Sequence, residues 1–240
     1  MKALGFVHSK KIFVLVNGFN LTGFLNKLDS NLTGKTAETS VFGTEDEQFI
    51  AGLQGSTLSG EGFFDGTVGA VDETLSDILD INGDSNIYTW ILQGNQAGVY
   101  GFVIDGMETQ YSVSGTIDDA CKISLAAQSS TSRHRCLILQ EYKSRTGSAV
   151  GLDYDILVEH TMGGILYLHV NAVSDSLDLE LEHSVDEVTW TNLETVPIIT
   201  GTSPQVIKVD VSDSIHRYVR LSYDNSAGSS LFLAALKFNA

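Results

Sequence analysis

The sequence predicts a mostly β protein of two β-sandwich or barrel-like domains, the first flanked by one amphipathic helix at about residues 69–81. Three observations predict it. Gly is abundant, at 23 of 240 residues, while Pro is scarce, at 2. Thr, Ser, Val and Ile recur in short runs parted by Gly, Asn and Asp, the composition of strands joined by tight turns. Several runs alternate apolar with polar residues, and only one carries a helical period.

Residues 12–16, ending in Val14-Leu15-Val16, are an apolar run closed by Asn17-Gly18, a strand-and-turn signal. Residues 30–48 are polar, with Gly and Thr and the single apolar pair Val41-Phe42, and read as a long loop or a hairpin. A loop of that length in a compact domain usually has a function. The stretch from Phe49 to Gly66 mixes small and apolar residues, ends in Asp65-Gly66, and reads as a strand closing in a turn. Val71, Leu75, Ile78 and Leu79 then fall on one helical face, with Thr67 as the expected cap and Asn82-Gly83 as the stop.

Strands resume at 87–92, at 99–104 with an Asp105-Gly106 turn, at 111–117 and at 121–127. The small polar stretch 128–135 marks an expected boundary between domains 1–128 and 129–240. Beyond it only strands are read: 136–139, 154–158, 165–170, 177–183, 188–190, 205–211, 218–223 and 231–238, with a hairpin loop at 224–228. Leu177-Asp178-Leu179-Glu180-Leu181-Glu182 shows the cleanest alternation. Turn residues about ten positions apart suit a second β-sandwich.

The net charge is −16, from 14 basic and 30 acidic residues. Gripping nucleic acid takes Lys and Arg at the phosphates, so this balance argues against it. It leaves room for a surface that DNA slides past. Cys121 and Cys136 are too few for a disulfide framework, lack metal-site spacing and are expected as thiols. The start shows no sustained apolar segment with a cleavage site, and the run at 12–16 is too short to cross a membrane, so a soluble, cytoplasmically made protein is expected.

No phosphate-binding loop, dinucleotide fingerprint or nucleophile elbow is present. The six His are scattered, and Glu159-His160 and Glu182-His183 sit in or beside strands, where neighbours point to opposite faces. Glu45-Asp46-Glu47 lacks the alternating ligands of a calcium loop. Asp153 and Asp155 share a strand face, as outward strand residues commonly do, and Ser132-Arg133-His134-Arg135 is too small to hold nucleic acid by itself. Trp90, Trp190 and Phe63-Phe64 are expected in core or interface packing. No enzyme, cofactor or metal is expected.

Residues 12–66 resemble the N-terminal part of siphovirus tail tube (major tail) proteins. The resemblance rests on Val16-Asn17-Gly18-Phe19-Asn20-Leu21-Thr22-Gly23-Phe24-Leu25, on Thr36-Ala37-Glu38-Thr39-Ser40-Val41-Phe42-Gly43-Thr44, on Leu53, and on Leu58-Ser59-Gly60-Glu61-Gly62-Phe63-Phe64-Asp65-Gly66. It extends at most over residues 12–125. It implies a strand and turn, a long loop, a further strand and a helix packed on a β-sandwich or barrel. It also implies a structural virion protein of the phage tail, whose copies close into trimeric or hexameric rings. Those rings stack through the loop, with inter-ring contacts at Thr36, Glu38, Val41, Phe42, Glu45, Asp46 and Glu47. Other tail and connector proteins are the implied partners, and DNA passes an acidic lumen without specific binding.

The second half, with Gly163-Gly164-Ile165-Leu166-Tyr167-Leu168-His169-Val170, Val188-Thr189-Trp190 and Arg217-Tyr218-Val219-Arg220-Leu221, looks like a β-sandwich of phage structural proteins, either a decoration or a second tube-like domain. The alternatives are a head decoration or collar protein, and a carbohydrate-binding module stacking sugars on Trp190, Tyr167 and Tyr223.

Overall fold

The computed structural model describes residues 9–39, 46–67, 69–80, 86–129, 131–225 and 228–239. By its contacts the chain divides into two compact units. Unit 1 comprises Met1–Thr22, Thr89–Val103 and Arg135–Ala240, and unit 2 comprises Gly23–Tyr88 and Ile104–His134. The sequential division at 128/129 follows chain order, whereas these units follow packing, which returns the chain to unit 1 at residues 89–103.

Unit 1 is built on two antiparallel sheets. One contains β14 (Gln205–Val211), β11 (Gly164–Val173), β16 (Ser229–Phe238) and β8 (His134–Thr146) in that order, continued by the first part of β6 (Tyr100–Ser114), β5 (Asn86–Ile91), β1 (Phe13–Val16) and β2 (Phe19–Asn20). The other orders β10 (Tyr154–Asp155), β15 (Tyr218–Asp224), β12 (Leu177–Ser184) and β13 (Thr191–Ile199), with β9 (Ala149–Val150) also on β15. Alternation makes the core. Leu177, Leu179 and Leu181 of β12 point inward between outward acids and meet Leu166, Leu168, Val170, Phe232 and Leu236 from the first sheet in one buried cluster.

Strand β11 is buried on both faces, so its alternate residues Tyr167 and His169 lie on the side away from that cluster. There the Asn17-Gly18 turn of the β1–β2 hairpin closes against it. Both turn residues are left-handed, with φ of 45° and 89°, as a two-residue hairpin turn of this twist requires. Gly18 N–H donates to His169 Nδ1 at 3.1 Å, and Tyr142 Oη donates to the Gly18 carbonyl at 3.0 Å. His169 Nδ1 is therefore an acceptor, and Nε2 carries the proton donated to Thr89 Oγ1 at 2.7 Å. Complete burial lowers this imidazole to about 3 and keeps it neutral.

Unit 2 is an antiparallel sheet of β3 (Leu25–Glu38), β4 (Phe49–Phe63), β7 (Lys122–Ser129) and the rest of β6, together with the helix α1 (Val71–Asp80). In β4 the inward positions Ser56, Leu58, Gly60 and Gly62 alternate with exposed ones. Val71, Leu75 and Ile78 form the buried stripe of α1. Leu79, expected on that stripe, is 42% exposed. At about 100° per residue it sits about 80° round from Val71, at the margin. Thr67 is not a side-chain cap: its hydroxyl donates to Asp65, and Glu73 reaches back to Gly69 N–H instead. The expected stop, Asn82-Gly83, lies outside the described residues.

Four further expectations are corrected. Of the two readings of 30–48, the loop is corrected and the hairpin holds for the described part: residues 30–38 lie in β3 and pair antiparallel with β4. Asp105-Gly106 is no turn: β6 runs straight through it, and a Cβ on Gly106 would lie 2.8 Å from the Gln128 carbonyl oxygen, so the glycine serves close strand approach. Residues 188–190 form no strand, and β13 begins just after them, its signal weakened by Pro197. The 224–228 connection is not a hairpin, because β15 and β16 belong to different sheets. Cys121 is exposed, Cys136 is buried, and they are not bridged.

A Cβ on Gly18 would lie 2.4 Å from the Val170 carbonyl oxygen at a backbone angle costly for any L residue. Gly18→Ala is expected to destabilise unit 1 by about 2–4 kcal/mol, read as a lowered denaturant midpoint, whereas Gly34→Ala, which meets no atom, should cost far less.

Candidate functional site

Strand β4 acquires its second neighbour only at Ser56, which pairs with Ser129 of β7. Before that point β4 pairs with β3 alone, from Gly34↔Gln54 to Glu38↔Phe49. The outer part of the pair is thus a two-stranded ribbon. Its described residues 33–36, 38 and 49–54 are all exposed, and so is Leu32 at its base. Successive strand residues point to opposite faces, so exposed side chains lie on both faces of the ribbon among the described residues. A register shift falls between Gly34 and Thr36, and there a Cβ on Gly52 would lie 2.9 Å from the Lys35 carbonyl oxygen. Such a bulge bends and twists the ribbon.

The ribbon carries Leu32, Phe49, Ile50 and Leu53 into solvent, and Leu53 is 82% exposed. Of the loop residues singled out in the sequence, Thr36 pairs with Ala51 and Glu38 with Phe49 on the ribbon, and Asp46 and Glu47 are exposed just before β4. Val41, Phe42 and Glu45 lie outside the described residues. Sequence reading missed the apolar quartet as a group. The signal was present in Phe49-Ile50 and Leu53, but the polar run opposite them hid the strand that brings Leu32 to the base of the same ribbon.

Beneath the inner part of the sheet, Glu108 of β6 is buried. Its Oε2 accepts a 3.4 Å bond from Tyr88 Oη, and its Oε1 has no partner. Burial pushes this carboxyl up to about 8, against a smaller pull from Tyr88, so it is protonated at neutral pH. On α1, Asp72 Oδ1 accepts the Tyr111 hydroxyl at 2.7 Å and ties the helix to β6.

The remaining sequence candidates are structural. Tyr167 is wholly buried and offers no platform to a sugar. Trp190 lies beneath the Arg220 guanidinium at 3.9 Å, and Tyr223 packs edge-on to Phe232. Asp155 is held by Arg217 in a two-pronged pair of 2.9 and 2.6 Å, while Arg220 joins Glu182 at 2.6 Å and Asp153 at 3.7 Å. Arg133 donates to Ser30 and Arg135 covers Tyr100. Among the described residues no group of three or more His, Cys, Asp or Glu is placed to hold a metal ion, and no helix is long and apolar enough to cross a membrane.

No family model matches the chain, and no curated protein matches it. Several solved structures contain similar chains. One, from the tail of an empty gene transfer agent particle, is 15% identical and covers 52% of this chain and 96% of its own, with a TM-score of 0.41. The Dit protein of phage SPP1, described as a paradigm of the hub adsorption apparatus in phages infecting Gram-positive bacteria, is 12% identical over 95% of this chain and 99% of its own, with a TM-score of 0.38. A chain of the phage p2 baseplate in its activated conformation is 10% identical over 95% and 98%, with a TM-score of 0.34. Likeness this distant carries no argument about the role of this chain.

Glu108 gives a pH signature. Its folded value lies above the unfolded 4.5, so its contribution is fully present below that value and is lost as pH rises through about 8. Glu108→Gln should remove this dependence. Urea midpoints taken across that range are expected to move in favour of the variant as pH rises, and a constant gap would contradict the assignment.

Proposed function

We propose that this chain is a structural subunit of a bacteriophage tail, whose copies form rings that stack around a DNA-conducting channel, with the β3–β4 ribbon as the contact between rings. The observation that carries the reading is the ribbon itself. It is exposed on both faces, it displays Leu32, Phe49, Ile50 and Leu53, and it lies on the segment where the tail-tube resemblance places inter-ring contacts. Isolated two-stranded ribbons are marginal in water, so such a ribbon needs a partner surface. Thr36, Glu38, Asp46 and Glu47 form the polar rim of that contact, with Val41, Phe42 and Glu45 assigned to it from the sequence.

Rings of identical copies join head to tail and close, leaving no open sheet edge. The net charge of −16 suits a wall that DNA passes without adhering, since like charge repels phosphate over about 10 Å at ordinary salt. In this reading the chain acts in the virion tail, joins other tail and connector proteins, uses no cofactor and performs no chemistry.

Electron microscopy and sedimentation of the concentrated chain test this. The wild type is expected to form stacked rings or tubes. The double variant Ile50→Ser/Leu53→Asp, altered only at exposed positions, should keep its stability within about 1 kcal/mol and remain unstacked. A wild type that stays monomeric at every concentration, or a variant that stacks equally well, would overturn the proposal. Rings that form without stacking would overturn the ribbon as the contact between rings.

A further inference from the structure

In unit 1, His183 lies near the end of β12 with its ring stacked on that of His216, the centroids 4.2 Å apart and the planes 21° from parallel. The backbone N–H of His216 donates to His183 Nδ1 at 3.3 Å. The proton of His183 therefore sits on Nε2, the nitrogen left to bond the backbone of Ser214. His216 Nδ1 is 3.3 Å from Glu159 Oε1 but not aligned for a hydrogen bond, and it is buried without a hydrogen-bond partner.

Glu159 belongs to a strap, residues 157–162, that leads from β10 and the buried core residue Ile156 toward β11. The strap is held along the segment 215–217. Ile156 N–H donates to the Arg217 carbonyl, and His160 and Ile215 exchange two backbone bonds, all at 2.9 Å. Asp155 grips Arg217 at its start. Leu157, Val158 and Met162 of the strap point to solvent, and Leu157 holds φ 70°, a conformation leucine rarely adopts. Its N–H is pinned to Asp155 Oδ1 at 2.8 Å.

We propose that the strap is an acid-operated latch: a proton added to His183 releases residues 157–162 from the 215–217 segment while Ile156 and the sandwich beneath stay packed. A proton enters His183 only at Nδ1, which ends the bond from His216 N–H and sets a new cation against the His216 ring, 4.2 Å away. The charges facing His183 from other elements are His216 and Asp213 before β15 and Glu159 on the strap. Burial first and His216 second hold His183 below the ordinary histidine range, against the opposing pull of the Ser214 backbone and the two carboxylates. The Arg217 charge beside them is engaged by Asp155 and drawn also by Glu187. Once the latch opens, Leu157 is free to leave its left-handed conformation, which favours the released state.

Amide exchange of the whole chain, corrected for intrinsic rates and taken near neutral pH and at about pH 5, tests the latch. Protection over 157–162 and 215–217 is expected to fall about tenfold or more at the lower pH, while β11 and β16 keep theirs. His183→Gln, which retains an acceptor for His216 N–H but does not titrate, should abolish the difference. Equal protection of the strap at both pH values overturns the proposal. So does a loss shared with β11 and β16, the pattern expected of general acid unfolding through His169, or a loss that persists in His183→Gln. Should the variant fail to fold, the comparison of strap with β11 and β16 in the wild type decides by itself.

Discussion

The account rests on one constraint of sheet structure: a strand pair that outruns its third strand has no core of its own. β4 is flanked by β3 and β7 from Ser56 onward and by β3 alone before it. Along the flanked part, Leu58, Gly60 and Gly62 turn inward and the sheet has one buried face. Along the outrunning part both faces meet water, and Phe49, Ile50 and Leu53 lie where burial within the chain is unavailable. Fully burying a side chain of this kind is worth about 1.5–3 kcal/mol. Association that covers several of them therefore exceeds what the exposed ribbon retains alone, even after the ordering costs of binding.

Unit 1 shows the opposite solution. β11 is covered on both faces, by the second sheet on one and by the Asn17-Gly18 turn with Tyr142 and Thr89 on the other. Its edge strand β13 carries Pro197, and its pairing with β12 shifts register twice, features that discourage a further strand from adding. The polar group on that face is matched as well: His169 has a partner at each ring nitrogen. β11 is thus covered on both faces, whereas the outer part of the β3–β4 ribbon is exposed on both.

Much of this architecture was legible in the sequence where one periodicity governed. The Asn17-Gly18 turn, the Leu-acid alternation of β12 and the buried stripe of α1 each follow from a local rule. What escaped was set by neighbours. Residues 31–38 look like loop because neither face is buried, so no alternation is written into them. Gly106 looks like turn punctuation because closeness to the Gln128 backbone leaves no local trace. The partition of the chain between units was equally hidden, since hydropathy at 89–103 does not tell which sheet those residues join. Of the candidate site, the polar residues Thr36, Glu38, Asp46 and Glu47 were visible in the stretch 30–48, and the apolar quartet was not, because it needs the strand pairing to assemble it.

The central claim is that the outrunning ribbon is covered by another copy of the chain. Amide exchange of residues 33–38 and 49–54 in dispersed and in assembled protein tests it most directly. The account predicts that assembly raises their protection about a hundredfold or more while residues 56–63 of β4, already flanked, change little. Equal protection of the ribbon in the two states would contradict it.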